Sequence, residues 1–162
     1  MKYLLDANTY IQAMNTYYHV DFCPAYWDWL DRQFSQGELA SIIMVYDELA
    51  DDKDALAIWV KQRKNQFIAV DDALTQQAFS SIANYTAQHP YFNQSEVDRF
   101  LAGADPWLIA KAKTTGAILV TQEKSVGTNS TKVKIPNICQ QFAVDHIDTF
   151  ELLSRLKAKF IL

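Results

Sequence analysis

Residues 104–121, Ala104-Asp105-Pro106-Trp107-Leu108-Ile109-Ala110-Lys111-Ala112-Lys113-Thr114-Thr115-Gly116-Ala117-Ile118-Leu119-Val120-Thr121, hold a helix and a strand together with the residues that punctuate them. Aspartate favours the N-cap and proline the first helical position, so Asp105-Pro106 marks a helix start. Leu108, Ile109 and Ala112 form one apolar side, which gives a helix over Trp107–Thr115. Gly116 is a natural stop, because glycine alone enters the left-handed C-terminal cap without strain. The apolar run Ala117–Thr121 then reads as a short buried strand.

The same alternation extends in both directions. Lys2–Leu5, Leu39–Ile43, Phe67–Val70 and Val144–Ile147 read as further short strands. Between them, helices are expected at Tyr10–Met14, Phe22–Gln36, Val45–Leu49, Ala55–Lys64 and Ala73–Gln88. Another opens at Ser95-Glu96-Val97-Asp98, which resembles a capping box. Later helices are expected at Asn137–Phe142 and Thr149–Phe160. Short apolar strands separated by helices predict an α/β fold, a parallel central sheet with helices on both faces. Such a three-layer sandwich fits one domain spanning residues 1–162. The chain has only four glycines and four prolines, too few for a turn-rich all-β sandwich.

A chain of 162 residues, 49% of them hydrophobic, can bury a core without disulfides or a structural metal. Cys23 and Cys139 lack paired spacing and read as free thiols of a reducing compartment. The start Met1-Lys2-Tyr3-Leu4-Leu5-Asp6 has no apolar run of signal-peptide length, and no segment approaches the ~20 apolar residues of a membrane span. A cytoplasmic protein without membrane contact is expected. The net charge of −4 is the wrong sign for a simple phosphate-binding surface. Either the partner is not nucleic acid, or the acids are gathered where divalent cations neutralise them and meet the phosphate.

The placement of the acids bears on that choice. In parallel sheets the working site lies beyond the carboxyl ends of the strands, where strand order reverses. Asp6 ends the first strand, Glu48 follows the second within Val45-Tyr46-Asp47-Glu48-Leu49, and Asp105 heads the helix before the fourth. Glu123 comes two residues after that strand. Each acid alone has an ordinary explanation as a cap or a solvated charge. Capping does not explain why each stands near a strand end. Carboxylates without histidine or thiolate neighbours suit a hard cation, Mg²⁺ or Mn²⁺, and His19, His89 and His146 show no ligand spacing. Asp98 reads as an ion-pair partner of Arg99 or as a helix-start charge.

This order of motifs resembles the PIN-domain ribonucleases. Leu4-Leu5-Asp6-Ala7-Asn8-Thr9 is similar to that family's opening, and Asp47-Glu48 to its second motif, with Glu48 as the matching acid. Gly103–Ala112 followed by Ala117–Thr121 is similar to its third, and Glu123 falls at its last, most variable acid. The fourth acid is a glutamate where aspartate is usual, and the stretch between Phe67 and Asp105 is long enough to reshape a cleft or a partner contact. In size the chain resembles the VapC-like toxin of a type II toxin–antitoxin pair. The resemblance implies a Mg²⁺- or Mn²⁺-dependent endoribonuclease whose catalytic and metal residues are Asp6, Glu48, Asp105 and Glu123. It also implies an RNA substrate, a cognate antitoxin and a homodimer. Asn8 and Thr9 would contact phosphate or water, and Lys111 and Lys124, with Lys113, Lys132 and Lys134, would follow the RNA backbone.

Two rivals have discriminators in the sequence. A haloacid-dehalogenase-like phosphatase also opens with strand-Asp but needs a second aspartate two residues on, where this chain has Asn8. A degenerate PIN module that binds RNA or protein without cutting would lack one of the acids, and none is missing.

Overall fold

Tyr3-Leu4-Leu5 forms the middle strand of the sheet, and its three side chains are buried because both faces are covered. The computed structural model describes residues Met1–Leu162. The strands are β1 (Tyr3–Leu5), β2 (Leu39–Ile42), β3 (Phe67–Ile68), β4 (Ile118–Val120) and β5 (His146–Ile147). The helices are α1 (Ala7–Asn15), α2 (Pro24–Ser35), α3 (Ile43–Ala50), α4 (Ala55–Lys61), α5 (Ala73–Gln88), α6 (Gln94–Ala102), α7 (Asp105–Thr115), α8 (Ile135–Gln141) and α9 (Thr149–Arg155).

All strand pairings are parallel, in the order β3-β2-β1-β4-β5. The chain steps from β1 to β2 to β3 in one direction, then returns past β1 to β4 and β5. Right-handed crossovers put the helices of the outward steps, α1–α4, on one face and those of the return steps, α5–α8, on the other. The packing agrees. Helix α3 packs on α4 and α1, while α7 lies on α5, α6 and α8. The order reverses between β1 and β4, so the crevice beyond their carboxyl ends is where this topology leaves room for a site.

The core has a half on each face. Leu108 and Ile109 of α7 are fully buried on one side, and Tyr10, Trp27, Leu30 and Val60 on the other. Truncating such a residue to alanine costs roughly 2–5 kcal/mol. Both cysteines are free. No helix is long and apolar enough to cross a membrane.

Several boundaries differ from expectation for local reasons. Helix α1 begins at Ala7 because Asp6 caps it, its side chain accepting from Asn8 N at 3.4 Å. Helix α6 is capped by Asn93, which accepts from both the amide and the hydroxyl of Ser95, so the expected capping box at Ser95 does not form. Helix α9 stops at Arg155, and Lys157 takes a φ of 52° that sends the tail back so that Phe160 packs on Tyr18, Tyr26 and Trp29. Gly116 adopts the left-handed φ of 73° that its place after α7 requires.

Candidate active site at the carboxyl ends of the central strands

The fold brings Asp6, Glu48, Asp105 and Glu123 to the same end of the sheet from four different elements. Asp6 leaves β1, Glu48 stands on α3 directly after β2, Asp105 opens α7, and Glu123 follows β4. Proximity shows in the electrostatics. The negative charges of Glu123 and Glu48 raise the pKa of Asp6, and those of Asp6, Glu123 and Glu48 raise that of Asp105.

Asp6 is 1% exposed. Desolvation drives its pKa from 3.8 up to about 6, against the opposing hydrogen bond from Thr121. Burial likewise drives Asp105 up to about 7, with Arg99 the single charge pulling the other way. None of the molecule's ion pairs uses any of the four acids. A buried acid group without a cationic partner is costly, and proteins otherwise pair or ligate such groups.

Three of the carboxylates are anchored, Asp6 through both oxygens and Glu48 and Glu123 through one each. Thr121 Oγ1 donates to Asp6 Oδ2 at 2.9 Å, and Ala104 N donates to Glu48 Oε1 at 3.0 Å. Ile135 N donates to Glu123 Oε2 at 2.7 Å. Gly103 lies against this contact, a Cβ there standing 3.4 Å from Glu48 Oε1. Asp105 differs from the sequence reading. The N-cap of α7 is Ala104, and Asp105 occupies the first turn without making a capping hydrogen bond. Its carboxylate, half-buried at a positive helix end, is therefore not explained by capping.

No three acid, histidine or cysteine side chains close on one point as a ready ligand set. Magnesium does not require one, since it takes one or two direct carboxylates and keeps several waters. The donors are all oxygen, none of the four acids has an ion-pair partner, and Glu48 and Glu123 each have a second oxygen left over. That donor set fits a hard divalent cation.

The other predicted residues divide. Asn8 is exposed beside Asp6, with its side-chain amide free. Thr9 is 1% exposed and spends its hydroxyl on Val120 O at 3.2 Å, which ties α1 to β4. Lys111 is drawn away from the crevice by Asp72 at the start of α5, at 2.7 Å. Lys113 likewise donates to Phe142 O. Lys124 is 81% exposed and lies 3.9 Å from Asp148. Lys132 is exposed and Lys134 half-buried before α8. Arg99 pairs with Glu96 rather than Asp98, and also donates to Val133 O. Asp98 accepts from Gln94 instead. Sequence reasoning missed Thr121, although a hydroxyl at the end of an apolar strand beside an expected acid was a usable signal. Nothing in the sequence pointed to Arg99 as the charge facing Asp105.

Among solved structures, VapBC2 from Rickettsia felis, bound to a DNA fragment from its promoter, is similar over 91% of this chain and 98% of that chain. The TM-score is 0.55 at 14% identity. FitAB bound to an IR36 DNA fragment is similar over 90% of this chain and 94% of that one, with a TM-score of 0.51 at 15% identity. At such identities the likeness establishes the fold, which is PIN-like as the motif order implied. No curated protein matches the chain. Residues 3–160 match the family model described as a domain of unknown function, DUF4411, and the chain belongs to that family.

Proposed function

We propose that this protein is a divalent-metal-dependent endoribonuclease that acts as the toxin of a toxin–antitoxin pair. One observation carries the reading. Four carboxylates from four separate elements lie at the carboxyl end of the central strands of a PIN-like fold, near enough to raise one another's pKa and with no ion-pair partner. Asp6, Glu48 and Asp105 would hold one or two Mg²⁺ or Mn²⁺ ions, with Glu123 acting directly or through water. When bound, the ion supplies Lewis-acid activation of water and stabilises charge on the phosphate.

The chain's own residues set up that chemistry. Thr121 fixes the rotation of the Asp6 carboxylate, and the Ala104 and Ile135 amides fix those of Glu48 and Glu123. Asn8 offers an exposed amide to a phosphate oxygen or to the attacking water. The likeness to VapBC2 and FitAB supports a toxin role with an antitoxin protein as partner.

The test incubates the purified protein with total RNA in Mg²⁺, Mn²⁺ or EDTA, beside Asp6→Asn and Asp105→Asn. Metal-dependent cleavage lost in both variants is the expected result. RNA bound but left intact under every condition overturns the enzymatic reading in favour of a binding module. Growth arrest on induction, relieved by the same substitutions, is expected of a toxin.

A further inference from the structure

The four residues after β4 face two ways. In extended chain, successive side chains point to opposite sides. Thr121 and Glu123 turn toward the acids, where Thr121 bonds Asp6 and Glu123 accepts from Ile135. Gln122 and Lys124 turn the other way, toward Thr149 at 2.9 Å and Asp148 at 3.9 Å. There they line a cavity of about 260 Å³ together with Gln12, Tyr17, Tyr18 and Phe150. The carboxylate crevice and this cavity are thus two sides of one short segment.

The cavity's chemistry is that of a planar, polar-edged ligand. Tyr18 is fixed in place, stacked on Tyr26 at 4.4 Å and accepting from Trp27 Nε1 through its carbonyl. Tyr17 and Phe150 stand edge to face at 6.3 Å and remain 71% and 55% exposed. Isolated exposed aromatics are ordinary; here two exposed rings stand together on one cavity and leave their faces open to a ligand. The Gln122 amide donates to Thr149, which leaves its oxygen free to accept. Asp148 beside Lys124 makes the cavity unsuited to a phosphate. Drug-sized ligands occupy about 300–1,000 Å³, so this volume suits a single ring system.

We infer that this cavity takes one unstacked nucleobase of the RNA strand whose phosphodiester lies at the acid cluster, stacked on one ring of the Tyr17–Phe150 pair and met by the edge of the other, with Gln122 at its polar edge. Single-stranded RNA is recognised through such splayed bases on aromatic side chains. The inference rests on the ribonuclease reading for the identity of the strand.

The test uses a short single-stranded RNA carrying one 2-aminopurine. Its fluorescence quench and anisotropy are followed in EDTA, and its cleavage in Mg²⁺. Wild-type protein is expected to quench the probe. Phe150→Ala and Tyr17→Ala should each weaken binding about tenfold, while Tyr17→Phe and Leu74→Ala, at an exposed position on α5, bind like wild type. In the cleavage assay the loss should fall on KM. Cleavage with unchanged KM and binding in both alanine variants overturns the nucleobase assignment and leaves the nuclease reading standing. Variant-sensitive quenching without cleavage keeps the pocket and overturns the nuclease. Neither binding nor cleavage by the wild type overturns both.

Discussion

Thr121 Oγ1 donates to Asp6 Oδ2 at 2.9 Å across 115 residues of chain, and the same hydroxyl accepts from Glu123 N at 3.2 Å. One buried hydroxyl at the end of β4 thereby orients the acid of β1 and positions the backbone of the acid that follows. Thr121→Val keeps the shape but leaves Asp6 and the Glu123 amide short of a partner. Urea unfolding should show a loss of roughly 1–3 kcal/mol, and Thr121→Ser should recover most of it. Equal stability of the valine and wild-type proteins would contradict this.

Asp6 and Asp105 oppose stability in the metal-free protein, because each is desolvated and repelled by its neighbours. Asp105→Asn should therefore melt at or above the wild-type temperature in EDTA at pH 8. Outer-shell changes typically cost about 10–100-fold in activity, so loss of a proposed ligand should cost on the order of a hundredfold or more. A variant both inactive and markedly less stable would point to a structural role. Calorimetry and an RNA cleavage assay on the same sample separate the two.

The raised acids set a pH dependence. Between the unfolded value of 3.8 and the folded values of about 6 and 7, the native metal-free protein binds protons that the unfolded chain releases. Their contribution is fully present below 3.8 and is lost as pH rises through 6 and 7. The two are coupled, so their shifts do not simply add. A decrease of about 2–4 kcal/mol from pH 5 to pH 8 in EDTA is expected, with a smaller decrease in Asp105→Asn. Glu96 and Asp72, both held below the usual carboxylate range by Arg99 and Lys111, act in the opposite sense at lower pH. Added Mg²⁺ should raise the melting temperature more at pH 8 than at pH 5. Chemical denaturation across that range, with and without the ion, measures all three effects.

The lysines divide by what already holds them. Lys111 is committed to Asp72 across the α5–α7 packing, so Lys111→Ala should lower the melting temperature and leave RNA affinity unchanged. Lys132→Ala together with Lys134→Ala should weaken RNA binding and flatten its salt dependence by about two counterions, one for each phosphate that is no longer neutralised. Binding titrations at several salt concentrations distinguish the two outcomes.

Local signals made the elements legible. Asp105-Pro106, Gly116 and the apolar run after it delimit α7 and β4 to within a residue or two, because cap, proline and glycine preferences act over a few bonds. The weakest predictions were Ser95 as a cap and Asp98 as the partner of Arg99. There two adjacent polar groups compete for one role, and the winner depends on what packs nearby. Glu96 is drawn to Arg99 and to Val133 N, a residue 37 positions further along.

The alternation of strand and helix, and an acid at or near the end of β1, β2 and β4, are written in the sequence, because periodicity and chain chemistry are local. What only the tertiary structure decided is which side chains are free. Lys111 is taken by Asp72, Thr9 by Val120, and Asp6 is turned by Thr121. Those outcomes follow from which strand lies beside which, and the strand order comes from burying every helix against the sheet, a property of the whole chain rather than of any segment.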